Sequence, residues 1–182
     1  MKLPRILLAL ALSCALPAMA QAPVTEQIAF ASVRKVVREE GVFTGACSAV
    51  VIGQDTAYTA KHCLASVLRI DGLLVESSYE VPNKDMLILT VPGLKCPCVR
   101  FAPKRAQRGD RVYAVGFPFG DPKVTTRGEA QQRIIYQGGH FLVAVLGALP
   151  GMSGGGVFSV DGRLLGIISG SASGILTVIV EL

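Results

Sequence analysis

A serine set among glycines is the first candidate for chemistry in this sequence. Ser153 lies in the run Gly151-Met152-Ser153-Gly154-Gly155, directly after a Leu149-Pro150 break. Glycines beside the serine permit a tight turn, in which the backbone N–H groups of Gly151 and Ser153 can together hold the charged oxygen of an acyl-transfer intermediate. A flexible turn is the structural alternative, and the run also fits the nucleophile elbow of α/β-hydrolases.

A serine hydroxyl attacks a carbonyl only when a base removes its proton, and the sequence holds two histidines. His62 follows a strand-like run and precedes a cysteine, whereas His140 begins an apolar run, where a structural role or a substrate contact is expected. An α/β-hydrolase carries its histidine after the serine, and no histidine follows Ser153, so chain order excludes that fold. His62 is therefore the candidate base.

The histidine in turn needs a carboxylate that fixes its tautomer and stabilises its charged form. Five of the six aspartates neighbour glycine, proline or other turn residues, which predicts that they are solvated. Asp85 instead leads directly into Met86-Leu87-Ile88-Leu89, so its carboxylate enters the protein beside a buried strand, where an unpaired charge is costly. A helix cap is its alternative role, and we predict that Asp85 orients His62.

The elements that position these residues are predicted to be strands, because short apolar or β-branched runs recur between glycine and proline and few windows keep a helical period. The segment 27–39 suits either a strand or a short helix. Asp71-Gly72 and Asp161-Gly162 each lie between apolar runs and predict hairpin turns. The predicted strands run over 45–52, 56–60, 66–70, 73–79, 86–91, 98–101, 111–116, 123–136, 140–146, 156–159, 163–169 and 174–181.

A dozen short strands predict an all-β fold of two small β-barrels. We place the N-terminal barrel at about 27–102 and the C-terminal barrel at about 110–182. The segment between them is rich in charged and turn-forming residues and has no apolar period.

The first twenty residues have the layout of a secretory signal peptide. Lys2 and Arg5 precede an apolar run from 6 to 16, and Ala18-Met19-Ala20 offers a small-x-small cleavage pattern. The run is shorter than the roughly 20 apolar residues that a membrane-spanning helix needs. We therefore predict a signal peptide over 1–20, cleavage near Ala20, and a secreted or periplasmic domain over 21–182 without stable membrane insertion.

Composition and net charge favour no particular partner. Cleavage removes two of the eighteen basic residues and none of the thirteen acids, so the formal net charge falls from +5 to +3. The basic residues around one predicted turn lack interleaved aromatic residues, which predicts a solvated loop and no nucleic-acid surface. Those residues are Arg100, Lys104, Arg105, Arg108 and Arg111.

Two of the cysteines, Cys96 and Cys98, are only two positions apart. They fit a local disulfide, two free thiols or an external link, and two cysteines alone make a weak metal site. We predict no metal and no cofactor, and the sequence does not indicate an oligomeric state.

Taken together, the motifs resemble those of the trypsin-like serine proteases. The resemblance implies their chymotrypsin fold, in which two small antiparallel β-barrels pack together with the active site between them. Thr59-Ala60-Lys61-His62-Cys63, Asp85-Met86-Leu87-Ile88-Leu89 and the Ser153 run occur in the family's order. The runs 112–120 and 150–155 resemble the bacterial HtrA-type branch, and the resemblance covers a protease domain from about residue 40 onward, with no peptide-binding domain after it.

The resemblance implies an exported serine endopeptidase that cleaves polypeptides through an acyl-enzyme. Ser153 would be its nucleophile, His62 its base and Asp85 the orienting acid, with the amides of Gly151 and Ser153 as the oxyanion hole. Cys47 and Cys63 bracket the histidine segment and resemble the family's histidine-loop disulfide. The alternative function is a protease-fold binding protein of the cell envelope that no longer turns over substrate.

The resemblance also assigns a substrate pocket. Gly147 would form its floor, and Gly170 and Ser171 its wall. Ser169 would lie on the strand that lines the substrate cleft and would also help hold Asp85. Since Gly147 supplies no charge, the expected preference is for small or apolar side chains, with His140 as a polar contributor. Met152 stands where animal digestive enzymes have an aspartate that captures a freed N-terminus, so activation by that ion pair is not available.

Overall fold

Strands dominate the computed structural model, which describes residues 24–136 and 138–182. The predicted signal peptide and its cleavage site lie outside these residues. Helix α1 (Val24–Ser32) precedes a seven-stranded antiparallel sheet with the order β5-β4-β1-β2-β3-β7-β6. Its strands are β1 (Val33–Glu40), β2 (Phe43–Gly53), β3 (Thr56–Thr59), β4 (Val67–Ile70), β5 (Leu73–Leu74), β6 (Ser77–Glu80) and β7 (Leu87–Thr90).

The second half of the chain forms a closed antiparallel barrel with the order β10-β13-β12-β11-β8-β9. Its strands are β8 (Arg111–Gly116), β9 (Val124–Tyr136), β10 (Gly139–Val145), β11 (Gly156–Ser159), β12 (Leu164–Ala172) and β13 (Leu176–Glu181). With the first sheet curled into a half-barrel, the arrangement matches the trypsin-like two-barrel fold, and the predicted fold class is confirmed.

Three parts of the predicted strand pattern differ in the structure. The ambiguous segment 27–39 holds both elements, since α1 ends at Ser32 and β1 starts at Val33. The predicted strand 73–79 divides into β5 and β6, because Val75 donates its N–H to Leu68 on one side and Glu76 donates to Thr90 on the other. The chain therefore changes partner within that run.

The predicted strand 98–101 is wrong. Only Phe101 pairs there, through a single bridge to Leu164. Cys98 is bonded to Cys96 across one residue and has a φ of +39°, so the chain leaves the extended conformation at this point. The local disulfide thus overrides the strand propensity of Val99 and Phe101.

Both predicted Asp-Gly turns are present. Asp71 and Gly72 have φ values of +51° and +83° between β4 and β5, as a two-residue hairpin turn requires. At the second turn only Gly162 is left-handed, and a Cβ added there would lie 2.6 Å from the carbonyl oxygen of Thr25. Glycine is therefore required for α1 to pack against the β11–β12 turn.

A shared apolar cluster fixes the first sheet against the barrel. One buried cluster fills the first sheet and a second fills the barrel. A third contains Val50 of β2 together with Val115 of β8 and Phe158 of β11, all fully buried, and Tyr113 stacks on Phe158 with 5.4 Å between ring centroids. Residues that project from the facing edges of the two sheets are consequently held in place.

No helix in the described part of the chain is long and apolar enough to cross a membrane.

Candidate active site

The histidine and the aspartate that the sequence singles out are hydrogen-bonded to each other. His62 lies in a single-turn 3₁₀ helix, Lys61–Cys63, directly after β3, and Asp85 lies two residues before β7, the neighbour of β3. Asp85 Oδ2 is 2.8 Å from His62 Nδ1, and Asp85 Oδ1 accepts the His62 backbone N–H at 3.0 Å. One carboxylate therefore fixes both the ring and the backbone of the histidine.

The same carboxylate also contacts the barrel. Ser169 of β12 donates its hydroxyl to Asp85 Oδ2 at 2.6 Å. Partial burial raises the pKa of the Asp85 carboxyl, but the hydrogen bonds from His62 and Ser169 outweigh burial, so the net pKa lies below its ordinary value. Asp85 is therefore a carboxylate at neutral pH.

The Ser153 run forms a tight turn, as the glycines predicted. Met152 donates its N–H to the Leu149 carbonyl at 3.0 Å, and Gly155 donates to the Met152 carbonyl at 2.8 Å. Gly154 has a φ of +81°, and a Cβ added there would lie 2.1 Å from the Ser48 carbonyl oxygen. This close approach sets the turn directly against β2.

Ser48, which the sequence analysis did not identify, connects the turn to the first sheet. Its N–H donates to the Ser153 carbonyl at 2.8 Å, and its hydroxyl donates to the Gly151 carbonyl at 2.9 Å. The hydroxyl also accepts the Phe117 N–H at 2.9 Å. Ser48 is fully buried in an apolar strand, and a buried polar side chain there is the signal that could have found it.

A disulfide between Cys47 and Cys63 connects the neighbours of Ser48 and His62. Its partners are 16 residues apart in the chain, and both are buried. Because Ser48 holds the Ser153 turn and Cys63 follows His62, this bond links the segments that position the serine and the histidine.

The two amides assigned to the oxyanion hole are those of Gly151 and Ser153. Phe119 donates its N–H to the Pro150 carbonyl at 2.7 Å. The C=O and N–H of a trans peptide point in opposite directions, so the Gly151 N–H points away from Phe119. Within residues 24–136 and 138–182, neither the Gly151 nor the Ser153 N–H has an acceptor.

A cavity of about 310 Å³ lies beside Ser153 and has no charged residue in its lining. Gly170 and Ser171, assigned to the pocket wall, do line it. Its lining residues are Ala148, Leu149, Pro150, Ser153, Ile168, Gly170, Ser171 and Gly174.

Three residues assigned to this pocket, Gly147, Ser169 and His140, are not in its lining. Gly147 was predicted to form the floor, but its neighbour Ala148 faces the cavity instead. A left-handed φ of +66° at Gly147 turns the chain there, and a Cβ added to it would lie 3.6 Å from the Gly174 carbonyl oxygen. His140 is exposed on β10, opposite Ile135 of β9, and does not contribute to the cavity.

Met152 packs into the barrel core with no exposed surface, and its Sδ lies 3.5 Å from the Leu149 N–H. A buried apolar side chain thus occupies the position where the activating aspartate would stand.

Among the described residues, no group of three or more His, Cys, Asp or Glu side chains could hold a metal ion.

A larger cavity of about 920 Å³ lies elsewhere, between the segments 102–112 and 159–165. It contains none of the predicted site residues and no histidine. The candidate site is therefore identified by the hydrogen bonds of Asp85 with His62 and Ser169, and not by the size of a cavity.

The sequence model for the trypsin-like peptidase domain matches residues 47–167, well over half of the chain. This segment contains Cys47, His62, Asp85 and Ser153. A comparison with curated protein sequences gave no match.

Solved protease structures have the same fold. The active form of the Rv3671c protease from M. tuberculosis superposes with a TM-score of 0.76 and 22% identity, over 91% of this chain and 82% of that one. The HtrA-type protease AlgW with a tripeptide has a TM-score of 0.73 and 21% identity, over 86% of this chain and 58% of that one. The serine endoprotease from Yersinia pestis has a TM-score of 0.73 and 20% identity, over 86% and 61%.

This chain therefore spans about three fifths of the length of the AlgW and Yersinia proteases. At these identities, likeness to each solved structure shows the fold, while the match over residues 47–167 shows the family. The predicted resemblance to the trypsin-like serine proteases is confirmed, and HtrA-type proteases share the fold. The chain belongs to the family of trypsin-like peptidase domains.

Proposed function

We propose that this protein is a serine endopeptidase that hydrolyses polypeptides with Ser153, His62 and Asp85. The observation that carries the proposal is the Asp85 carboxylate, which contacts His62 Nδ1 at 2.8 Å and Ser169 Oγ at 2.6 Å. A carboxylate on Nδ1 leaves Nε2 of the ring as the nitrogen that can accept a proton. In a trypsin-like peptidase domain, that is the arrangement of a general base.

Acylation then follows from the groups at the site. His62 Nε2 takes the proton of the Ser153 hydroxyl as Ser153 Oγ attacks the carbonyl carbon of the scissile peptide bond. The N–H groups of Gly151 and Ser153 hold the negative oxygen of the tetrahedral intermediate. Asp85 stabilises the protonated ring, which gives its proton to the leaving amine.

Deacylation repeats these steps with water. His62 takes a proton from the water that attacks the acyl-enzyme, and returns it to Ser153 Oγ when the acid product leaves. No metal or cofactor takes part in this proposal.

The uncharged cavity beside Ser153 suits a small or apolar side chain on the acyl side of the cleaved bond. Its lining is mostly apolar, and an ionised side chain placed there would lose its hydration without gaining an ion partner. We therefore expect cleavage after residues such as alanine or valine and rejection of lysine, arginine and aspartate.

A fluorophosphonate probe tests the nucleophile. We expect labelling of the wild-type protein and of Ser78→Ala, which changes an exposed serine of β6, but no labelling of Ser153→Ala. Ser153→Ala and His62→Ala should each lower peptide turnover on the order of 10⁶-fold. A wild-type protein that resists the probe and cleaves no member of a peptide library would instead support the alternative, a binding protein with a protease fold.

We also propose export after cleavage near Ala20, with residues 21–182 as the protease domain. Two disulfides in the described residues support an oxidising compartment, because cytosolic thiols are kept reduced. Intact-mass measurement of protein recovered outside the cytoplasm should give a chain beginning at Gln21. Recovery only of the uncleaved chain in the cytoplasm would refute export.

A further inference from the structure

The disulfide between Cys96 and Cys98 lies outside the candidate active site, in the loop between β7 and β8. Cys98 is exposed and Cys96 is half-buried, whereas Cys47 and Cys63 are both buried. The bond spans a sequence separation of 2, against 16 for the other disulfide. A cross-link restrains the unfolded chain less when it closes a shorter loop, so a structural role explains this bond poorly.

The surroundings of Cys96 favour its release as a thiolate. The Cys98 backbone N–H donates to Cys96 Sγ at 3.0 Å. An N–H directed at sulfur stabilises the negative charge that develops there when the bond to Cys98 breaks, and nearby cations act in the same direction. Lys95 and Arg100, both exposed, are the closest cationic residues in sequence.

A groove of about 370 Å³ lies against the exposed partner, Cys98. Ile28 of α1 gives it an apolar wall, and Arg100 and Arg163 bring two cations to it. Arg163 Nε is paired with Asp161 at 2.8 Å, whereas the Arg100 side chain has no ion-pair partner within the described ranges. The groove therefore suits a small ligand with a carboxylate that can pair with Arg100.

We propose that the Cys96–Cys98 disulfide is a thiol–disulfide exchange site for small anionic thiols. The incoming thiolate attacks Cys98 Sγ, and the Cys96–Cys98 bond breaks with its electron pair moving to Cys96 Sγ. The thiol is then joined to Cys98 in a mixed disulfide, and Cys96 is a thiolate beside the Cys98 N–H.

A second thiolate completes the exchange. It attacks the sulfur of the bound thiol, which forms the small-molecule disulfide and releases Cys98 as a thiolate. The two protons lost by the thiols end on Cys96 and Cys98. Two thiols are thus oxidised to one disulfide while the protein disulfide accepts two electrons.

Mass spectrometry of the full protein after timed alkylation tests this site. Glutathione, an anionic tripeptide thiol, is compared at equal thiolate concentration with cysteamine, which carries an amine and no carboxylate. We expect reduction of Cys96–Cys98 at least roughly tenfold faster than reduction of Cys47–Cys63. At low ionic strength glutathione should react roughly threefold faster than cysteamine, and high salt should remove the difference.

Two variants locate the charge effect. Arg100→Gln should abolish the preference for glutathione, whereas Lys95→Gln, a matched change outside the groove lining, should retain it. Rapid acid quenching should trap glutathione on Cys98. Equal reduction of both disulfides, equal rates with the two thiols, or glutathione attached to Cys96 would each overturn the proposal. The readout does not involve Ser153, so the result is independent of the proposed peptidase activity.

Discussion

Removal of the Ser48 hydroxyl tests how the turn that carries Ser153 is held. This hydroxyl accepts the Phe117 N–H and donates to the Gly151 carbonyl, both at 2.9 Å, and Ser48 is fully buried. Ser48→Ala leaves one donor and one acceptor unpaired, and each unpaired buried group costs about 1–3 kcal/mol. Since Phe117 and Gly151 are only partly buried, we expect the free energy of unfolding to fall by about 2–4 kcal/mol.

The same change should affect catalysis more than substrate binding. In the wild-type protein, the hydrogen bond from the Ser48 hydroxyl to the Gly151 carbonyl restrains Gly151, whose N–H we assign to the oxyanion hole. Loss of the bond from the Phe117 N–H to Ser48 loosens the adjoining turn, in which the Phe119 N–H donates to the Pro150 carbonyl at 2.7 Å. Loss of a whole oxyanion donor costs about 10²–10³ in kcat. A donor that remains but is poorly positioned should cost less, so we expect kcat to fall about 10- to 100-fold with KM nearly unchanged.

Two measurements on a cleaved peptide distinguish positioning from general destabilisation. The first is the kcat and KM pair, measured well below the unfolding temperature. The second is inhibition by a peptide aldehyde, whose tetrahedral adduct carries the oxygen that the amides hold. The aldehyde inhibition constant should rise by the same factor as kcat falls, while binding of the matching product acid should not change.

Ser32→Ala is the matched control. Its hydroxyl donates to the Ala29 carbonyl at 2.7 Å and is equally buried, but it lies at the end of α1. We expect a loss of about 1 kcal/mol in unfolding free energy and unchanged kcat. The reasoning is refuted if Ser48→Ala keeps wild-type kcat despite a clear loss of stability, or if Ser32→Ala lowers kcat equally.

Three further outcomes follow from the contacts. Folding lowers the pKa of Asp85, so its ionised carboxylate stabilises the fold fully above the ordinary pKa of 3.8 and loses that contribution as the pH falls through the lower folded value. Asp85→Asn should therefore reduce the dependence of the unfolding free energy on pH in the acid range. An unchanged pH dependence would contradict this. Burial raises the pKa of Tyr113 to about 12, and its buried hydroxyl has no hydrogen-bond partner among the described residues. Tyr113→Phe should accordingly raise the free energy of urea unfolding by about 1 kcal/mol, and a destabilised variant would refute the reasoning. Replacement of both Cys47 and Cys63 by alanine should lower that free energy by about 3 kcal/mol, with a change near zero as the contrary result.

Local sequence signals predicted much of the architecture. The Asp-Gly pairs predicted both turns, and the apolar run after Asp85 identified the aspartate that contacts His62. These signals work because the conformation of a turn or the burial of a strand depends mainly on residues close in sequence.

The contacts that the sequence did not reveal connect distant residues. Ser48 and Gly151 are 103 positions apart, and Phe117 and Ser48 are 69 apart. The displacement of Gly147 from the cavity lining depends on the left-handed turn that brings Ala148 forward, which composition does not specify. The prediction of a strand at 98–101 was wrong because the disulfide between Cys96 and Cys98 outweighed the strand propensity of Val99 and Phe101.

The candidate site depends on the junction of the two sheets more than on either sheet alone. The Asp85 carboxylate, next to β7, accepts from His62 in the first half of the chain and from Ser169 in the barrel. The Ser153 turn belongs to the barrel half, yet Ser48 of β2 holds its two carbonyls. The bond from Ser169 to Asp85 and the bonds of Ser48 to the Ser153 turn form only when the sheets pack through Val50 and Phe158. Because interfaces of closely packed side chains deform little, this cluster fixes the segments that carry His62 and Ser153 relative to each other, so we expect the proposed activity to require the docked pair of sheets and not merely two folded halves.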